Sequence, residues 1–310
     1  MLLKGNKAAS PAEEINQSIE GIEFELVRAI NNLVNADRKL IGMVTGHGEL
    51  DSVSVASFID DASDEFDIAP ANLSSDLNAF KALVIAKPTK RFSPLDKYAL
   101  DQYIMRGGSV LFLVDKLDAS MDSASREDYF ALPYNTDLDD QLFRYGVRIN
   151  LDLVQDRHAG FYPVVTGQRG GKPQITMLDW PFFPLINHYA DHPLTRNLDA
   201  VITKFVSSID TVKAEGVKKT PLMMTSPQAR TIAAPVKVSA NDLRQQLADA
   251  AFDKPLIAVG YLLEGTFTSL FKNRFAPEGS IGKFLDTSVP TRLIVIADGD
   301  IIRNDVNFRS

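Results

Sequence analysis

Ala82-Leu83-Val84-Ile85-Ala86-Lys87-Pro88 decides the reading of the fold: five apolar residues in unbroken succession, halted by Pro88, have the pattern of a parallel strand covered on both faces. Ser93-Pro94 then opens a helix carrying Leu95, Tyr98, Ala99 and Ile104. Gly107-Gly108 closes it, since glycine enters the left-handed conformation without steric cost. A second apolar run, Ser109 to Val114, follows at once. Strand, helix, glycine pair and strand within about 32 residues make a right-handed parallel crossover. The expected fold class is therefore α/β, an open, mostly parallel, doubly wound sheet with helices on both faces.

Working outward, Lys39 to Thr45 is a further strand that runs into the turn Gly46-His47-Gly48-Glu49, after which Asp51 or Ser52 caps a helix through Val55, Phe58 and Ile59. Upstream, Ser10-Pro11 with Glu13 starts an amphipathic helix whose stripe is Ile15, Ile19, Ile22, Leu26, Ile30 and Leu33, leaving residues 1–10 as a leader. Downstream, Asp137 to Tyr145 reads as helix and Val147 to Gln155 as strand. Asp179-Trp180-Pro181-Phe182-Phe183-Pro184 reads as a packed loop, because two prolines remove backbone donors, and it lies within an irregular insertion around 155–195. Thr211 to Thr220 is a hairpin or surface connection, and Leu222 to Thr225 a short strand. Asp242 to Ala251 reads as a helix, and Pro255 to Leu263 and Arg292 to Ala297 as strands, so that 11–310 forms one α/β domain.

Lys+Arg of 33 against Asp+Glu of 40 gives a net charge of −7, the wrong sign for gripping a phosphate backbone or anionic lipid headgroups, so nucleic acid is not expected as a partner. There is no cysteine, which removes disulfides, thiolate metal sites and thiol nucleophiles together. The longest uncharged windows, His158 to Gln168 and Trp180 to Ala190, fall far short of the roughly 20 apolar residues of a membrane span. Residues 1–7 lack the apolar stretch of a signal peptide, so on its residues alone the chain reads as cytoplasmic.

Ligands of open parallel sheets bind beyond the carboxyl ends of the strands. There the sequence places Gly46, His47 and Glu49, then Lys87 and Arg91, then Asp115, and last Asp298 and Asp300. Imidazole and carboxylates are the usual cation ligands and proton carriers, whereas the plainer reading makes them solvent-facing loop residues. Gly46-His47-Gly48 continues into neither a G-x-x-x-x-G-K-[ST] nor a G-x-G-x-x-G loop, and neither G-x-S-x-G nor H-E-x-x-H occurs. No catalytic set, metal site or cofactor is therefore assigned. Trp180, Phe182 and Phe183 offer either a stacking platform for a sugar or a core plug. The candidate ligand-binding residues are thus His47, Glu49, Asp115, Trp180, Asp298 and Asp300, with carbohydrate as the alternative ligand.

Several stretches together resemble a known family: Leu2-Leu3-Lys4-Gly5-Asn6, Ser18 to Leu26, Thr45-Gly46-His47-Gly48-Glu49, Tyr103 to Gly108, Trp180 to Pro184, Glu264-Gly265 with Phe267 to Phe271, and Ala297-Asp298-Gly299-Asp300. The chain resembles the auxiliary component of ABC-type transport systems, in particular the gliding-associated GldG family of Bacteroidetes. The resemblance implies a soluble, membrane-anchored part on the periplasmic face of the cytoplasmic membrane, touching the membrane only through segments outside this chain. That displaces the cytoplasmic reading. It further implies a permease and, through it, an ATPase subunit as partners, and a non-enzymatic role in gliding motility and its associated secretion. The fold it implies is like that of class I glutamine amidotransferases, or flavodoxin-like, with Asp115 following the strand where those enzymes carry a cysteine.

Overall fold

Strand outweighs helix by far among the described residues, of which 38% are strand and 14% helix. The computed structural model describes residues 38–124, 129–169, 171–196, 198–239, 248–280 and 282–304, together with Leu26 and Ile30. The leader, the amphipathic helix apart from those two helical positions, and most of the helix at Asp242 to Ala251 lie outside the described residues.

The elements, in chain order, begin with β1 (Lys39–Val44), α1 (Ala56–Ser63), β2 (Phe66–Ala71), β3 (Ala82–Ala86), α2 (Pro94–Met105), β4 (Ser109–Leu113), α3 (Met121–Ala124), β5 (Phe130–Ala131) and α4 (Asp139–Tyr145). A run of strands follows: β6 (Val147–Ile149), β7 (Asp152–Asp156), β8 (Ala159–Arg169), β9 (Lys172–Ile186), β10 (His188–Tyr189), β11 (Val201–Ile202) and β12 (Ile209–Thr211). The last are β13 (Val217–Met224), β14 (Ala229–Ala233), β15 (Val236–Lys237), β16 (Ala258–Gly265) and β17 (Thr291–Ile296).

An 8-stranded sheet in the order β10-β13-β16-β17-β4-β3-β1-β2 organises the chain. From β2 to β17 the neighbours run parallel, and the expected crossover from β3 through α2 to β4 is present, with Leu83 opposite Val110 and Ile85 opposite Phe112. From β17 outward, β16, β13 and β10 are antiparallel. The doubly wound, amidotransferase-like or flavodoxin-like expectation is therefore corrected: the protein is mostly β, with a mixed sheet. The physical reason is connection. A parallel neighbour needs a crossover, usually a helix, and no α-helix is described between β16 and β17, which pair antiparallel from Gly260–Ile296 to Gly265–Thr291.

Beside this sheet stand the short pairs β6–β12, β7–β14 and β5–β15 and the three-stranded sheet β11-β9-β8. The second correction falls here. Asp179 to Pro184 is part of β9, the central strand of that sheet. Its register with β8 shifts between Ala159 and Phe161, so Trp180 to Phe183 have no regular β8 partners. The stretch works through its carbonyls instead: Phe182 accepts from the Phe205 N–H at 2.9 Å and Pro184 from the Thr203 N–H at 2.9 Å. A proline loses nothing where only its carbonyl is used.

α2 is buried along most of its length, and Ser93 caps it through reciprocal bonds with Asp96. Asp101 on this helix is fully buried and is satisfied from four sides. Its oxygens accept from the Tyr145 hydroxyl and the Leu270 N–H, each at 2.8 Å, from the Ser269 hydroxyl at 2.7 Å, and from the Gln102 amide at 3.0 Å. One carboxyl thus ties α2 to α4 and to the segment before β17. Asp101→Ala strands several buried donors, each of which costs about 1–3 kcal/mol; we expect a loss of roughly 3–5 kcal/mol, read as a lower urea midpoint at unchanged slope.

Candidate functional site

Four strand ends, those of β1, β3, β4 and β17, place their following residues along one edge of the main sheet. Lys87, immediately after β3, adopts a left-handed φ of 53° while its N–H bonds the Leu113 carbonyl at 2.8 Å. Its buried ammonium donates to Asp115 Oδ2 at 2.8 Å and to Asp300 Oδ2. Asp115 Oδ1 accepts from the Gly299 N–H, and Arg303 reaches Asp300 Oδ1 at 3.1 Å. A Cβ on Gly299 would meet Lys87 Cβ at 2.7 Å, which explains the glycine between the two aspartates: the lysine stem passes over it. Asp298 turns the other way. It accepts from the Lys204 N–H at 2.9 Å and the Asp300 N–H at 2.8 Å.

Burial and the neighbouring Asp115 charge push the Asp298 carboxyl up to about 8, against the backbone N–H bonds that favour its ionised form. Burial also raises Asp115, opposed by the Lys87 ammonium and reinforced by Asp300. For Lys87, burial pulls the amine down, but Asp115 and Asp300 outweigh it and hold the ammonium above its ordinary value.

The second cluster is built on the turn after β1, where Gly46 and Gly48 take φ of 122° and 76° and bring His47 inward. The imidazole lies flat on Phe92, with centroids 3.7 Å apart and planes 5° from parallel. Nδ1 is 3.0 Å from Glu49 and Nε2 is 3.2 Å from Asp96, the capping residue of α2. Burial lowers the imidazole's proton affinity, yet its bonds to Glu49 and Asp96 and their charges more than restore it, so the ring is held above 6.5. The His47 carbonyl also accepts from the N–H groups of Thr89 and Lys90, so the loop after β3 joins both clusters.

His47 and Glu49 are therefore brought together in one cluster and Asp115, Asp298 and Asp300 in another. Trp180 joins neither: it is 2% exposed and packed among Tyr162, Phe182, Phe183 and Phe205, so its indole offers no stacking face to a sugar. Lys87, Phe92, Asp96 and Arg303, outside the candidate set, complete the clusters. Asp96 was recoverable from the Ser93-Pro94-Leu95-Asp96 capping pattern; the pairing of Lys87 with Asp300, 213 residues away, leaves no local signal. Among the described residues no group of three or more His, Asp or Glu is placed to hold a metal ion. Two cavities, of about 450 and 510 Å³, lie elsewhere: one is lined by Ser109, Arg292 and Glu264 at the opposite strand ends, and the other, beside α2, meets the His47 cluster at Asp96.

Residues 38–310 match a family described as an ABC-type uncharacterized transport system, which covers most of the chain and every cluster above. The chain belongs to this ABC-transporter auxiliary family. A curated relative within reach of this auxiliary chain is an uncharacterized protein of Borreliella burgdorferi, 21% identical over 273 residues, a span that takes in 85% of this chain and 52% of the relative. The chain thus spans about half the length of the curated relative it matches. Among solved structures, the mmIFT52 N-terminal domain is similar in fold, with a TM-score of 0.50, 12% identity, and coverage of 86% of this chain and 89% of that one. No helix among the described residues is long and apolar enough to cross a membrane.

Two outcomes follow for this auxiliary domain. Lys87→Met leaves buried carboxyls without their cation, and should cost roughly 3–5 kcal/mol in chemical denaturation; Asp300→Asn added to it should recover part of the loss. His47, with its folded pKa raised, contributes its full stabilisation below about pH 6.5 and loses it as pH rises through the folded value. Asp298, also raised, loses its contribution across the window from 3.8 to about 8. Denaturation at a series of pH values should therefore show wild-type stability falling from pH 6 to 8, with shallower slopes in His47→Gln and in Asp298→Asn.

Proposed function

We propose that this domain is the non-catalytic, extracytoplasmic accessory part of an ABC-type transport complex, docked on the permease at the periplasmic face of the cytoplasmic membrane and coupled through it to the ATPase. Family membership supplies the transport system and the plausibility of permease and ATPase partners. The observation that carries the non-catalytic reading is the internal engagement of every candidate acid and base: His47 between Glu49 and Asp96, Lys87 between Asp115 and Asp300, and Asp298 on two backbone N–H groups. A general acid or base must reach a substrate proton, and a nucleophile needs an adjacent base; these groups spend their hydrogen-bonding capacity on one another. Such a locked edge suits a rigid domain that transmits force or position. Gliding motility and its associated secretion are the process we assign to the complex, on the resemblance of the motifs.

Affinity isolation of the full-length protein from detergent-solubilised membranes should bring down the permease and the ATPase. Protease added outside intact spheroplasts should cleave the domain, and deletion of the gene should abolish colony spreading. Purified domain offered amides, esters and glycosides should show no turnover. Turnover that disappears in both His47→Gln and Asp298→Asn would overturn the non-catalytic reading.

A further inference from the structure

We propose that the cavity beside α2 binds a short peptide with free ends. At about 510 Å³ it has the size of a small-molecule site. It is a trough along one stripe of the helix: Leu95, Tyr98, Ala99 and Gln102, continued by Arg106, recur at helical spacing and form its floor. The loop after β2 makes one wall and the loop before β17 the other. The second wall follows the helix from end to end, since a Cβ on Gly279 would lie 3.8 Å from Leu95 and one on Gly282 would lie 3.1 Å from the Arg106 guanidinium.

The groups left unpaired along the trough point to the ligand. Tyr98 is 5% exposed, its ring packed by Phe271 and Phe284 with centroids 5.1 and 6.4 Å away. Among the described residues its hydroxyl has no hydrogen-bond partner, and it is not sealed in the core, so it opens on the cavity. Arg106 has no carboxylate partner among those residues either, and its charge acts on the Tyr98 phenol, opposing the rise that burial causes. A phenol and an unpaired guanidinium within reach of each other are donors for a carboxylate. On the same cavity Asp96 uses only Oδ2, for Ser93 and His47, and Asp76 uses only Oδ1, for the Asn78 N–H. Each keeps one oxygen for a cation. The trough therefore holds opposite charges apart, with about 15 Å of helix between Asp96 and Arg106. An extended peptide of four residues spans about 13 Å. Its ammonium and carboxylate answer both charges, and Leu73, Leu77 and Leu95 meet its side chains. A simple anion would leave the two aspartates unanswered and be repelled by them. The inference does not rest on the accessory reading, which copurification tests separately.

The test is isothermal titration of the chain with tetra-alanine, its N-acetylated form and its C-amidated form. The free tetrapeptide should bind, and each capped form should bind at least about tenfold more weakly. Arg106→Gln should weaken the free peptide by about tenfold and leave the amidated one unchanged, whereas Asp76→Asn with Asp96→Asn should weaken the free peptide and leave the acetylated one unchanged. Tyr98→Phe, which keeps the packing of the ring, should also weaken the free peptide. If a variant misfolds, the capped peptides on the wild-type chain decide alone. Absence of binding at millimolar peptide, equal binding of the free and capped forms, or variants that bind like the wild type would overturn the proposal. So would a loss on amidation without a loss on acetylation, which would assign the cavity to a simple organic anion.

Discussion

One buried ammonium, that of Lys87, holds the carboxyl edge of the main sheet together. It joins the end of β3 to Asp115 after β4 and to Asp300 after β17, and Asp115 in turn fixes the Gly299 N–H. Three strand ends from distant parts of the chain are bound through one point charge. A cation in a site with little water interacts strongly with its partners only when they are in place, and is costly when they are not. Its left-handed backbone and the glycine beneath its stem are both consequences of bringing it there.

The rest of the edge follows from that anchor. The loop that leaves Lys87 passes Thr89 and Lys90, whose N–H groups hold the His47 carbonyl, and reaches Phe92, on which the imidazole lies. It then enters α2 at Ser93, where Asp96 both caps the helix and bonds His47. Helix capping, ring stacking and ion pairing thus support a single structure. The strand ends of an open sheet are where a ligand crevice is usually sought, and in this auxiliary domain the same position is filled by side chains that satisfy one another.

Beyond β17 the chemistry changes. The antiparallel half of the sheet and the separate β8, β9 and β11 sheet bring in the Trp180 core and a hairpin on which Phe161, Val165, Ile175 and Met177 are exposed beside Asp179. The hydrogen-bonded strand-end edge and the hairpin with exposed apolar side chains are therefore different parts of the fold.

The sequence by itself determined the crossover from β3 through α2 to β4, because an apolar run, a capping pattern and a glycine stop are local signals that act within a turn or two of the chain. It also determined the absence of thiol chemistry, the acidic residues at the strand ends, and the motifs that mark the family. Only the tertiary structure decided strand direction at β16 and β17, since an apolar run looks the same read either way. It also decided that prolines at 181 and 184 could sit in a central strand, since which carbonyls are used depends on Thr203 and Phe205. It decided as well how the residues that the sequence placed on one edge pair off, Lys87 with Asp115 and Asp300 and His47 with Glu49. Ion pairing depends on distance in space, and a separation of 213 residues along the chain carries no trace of it.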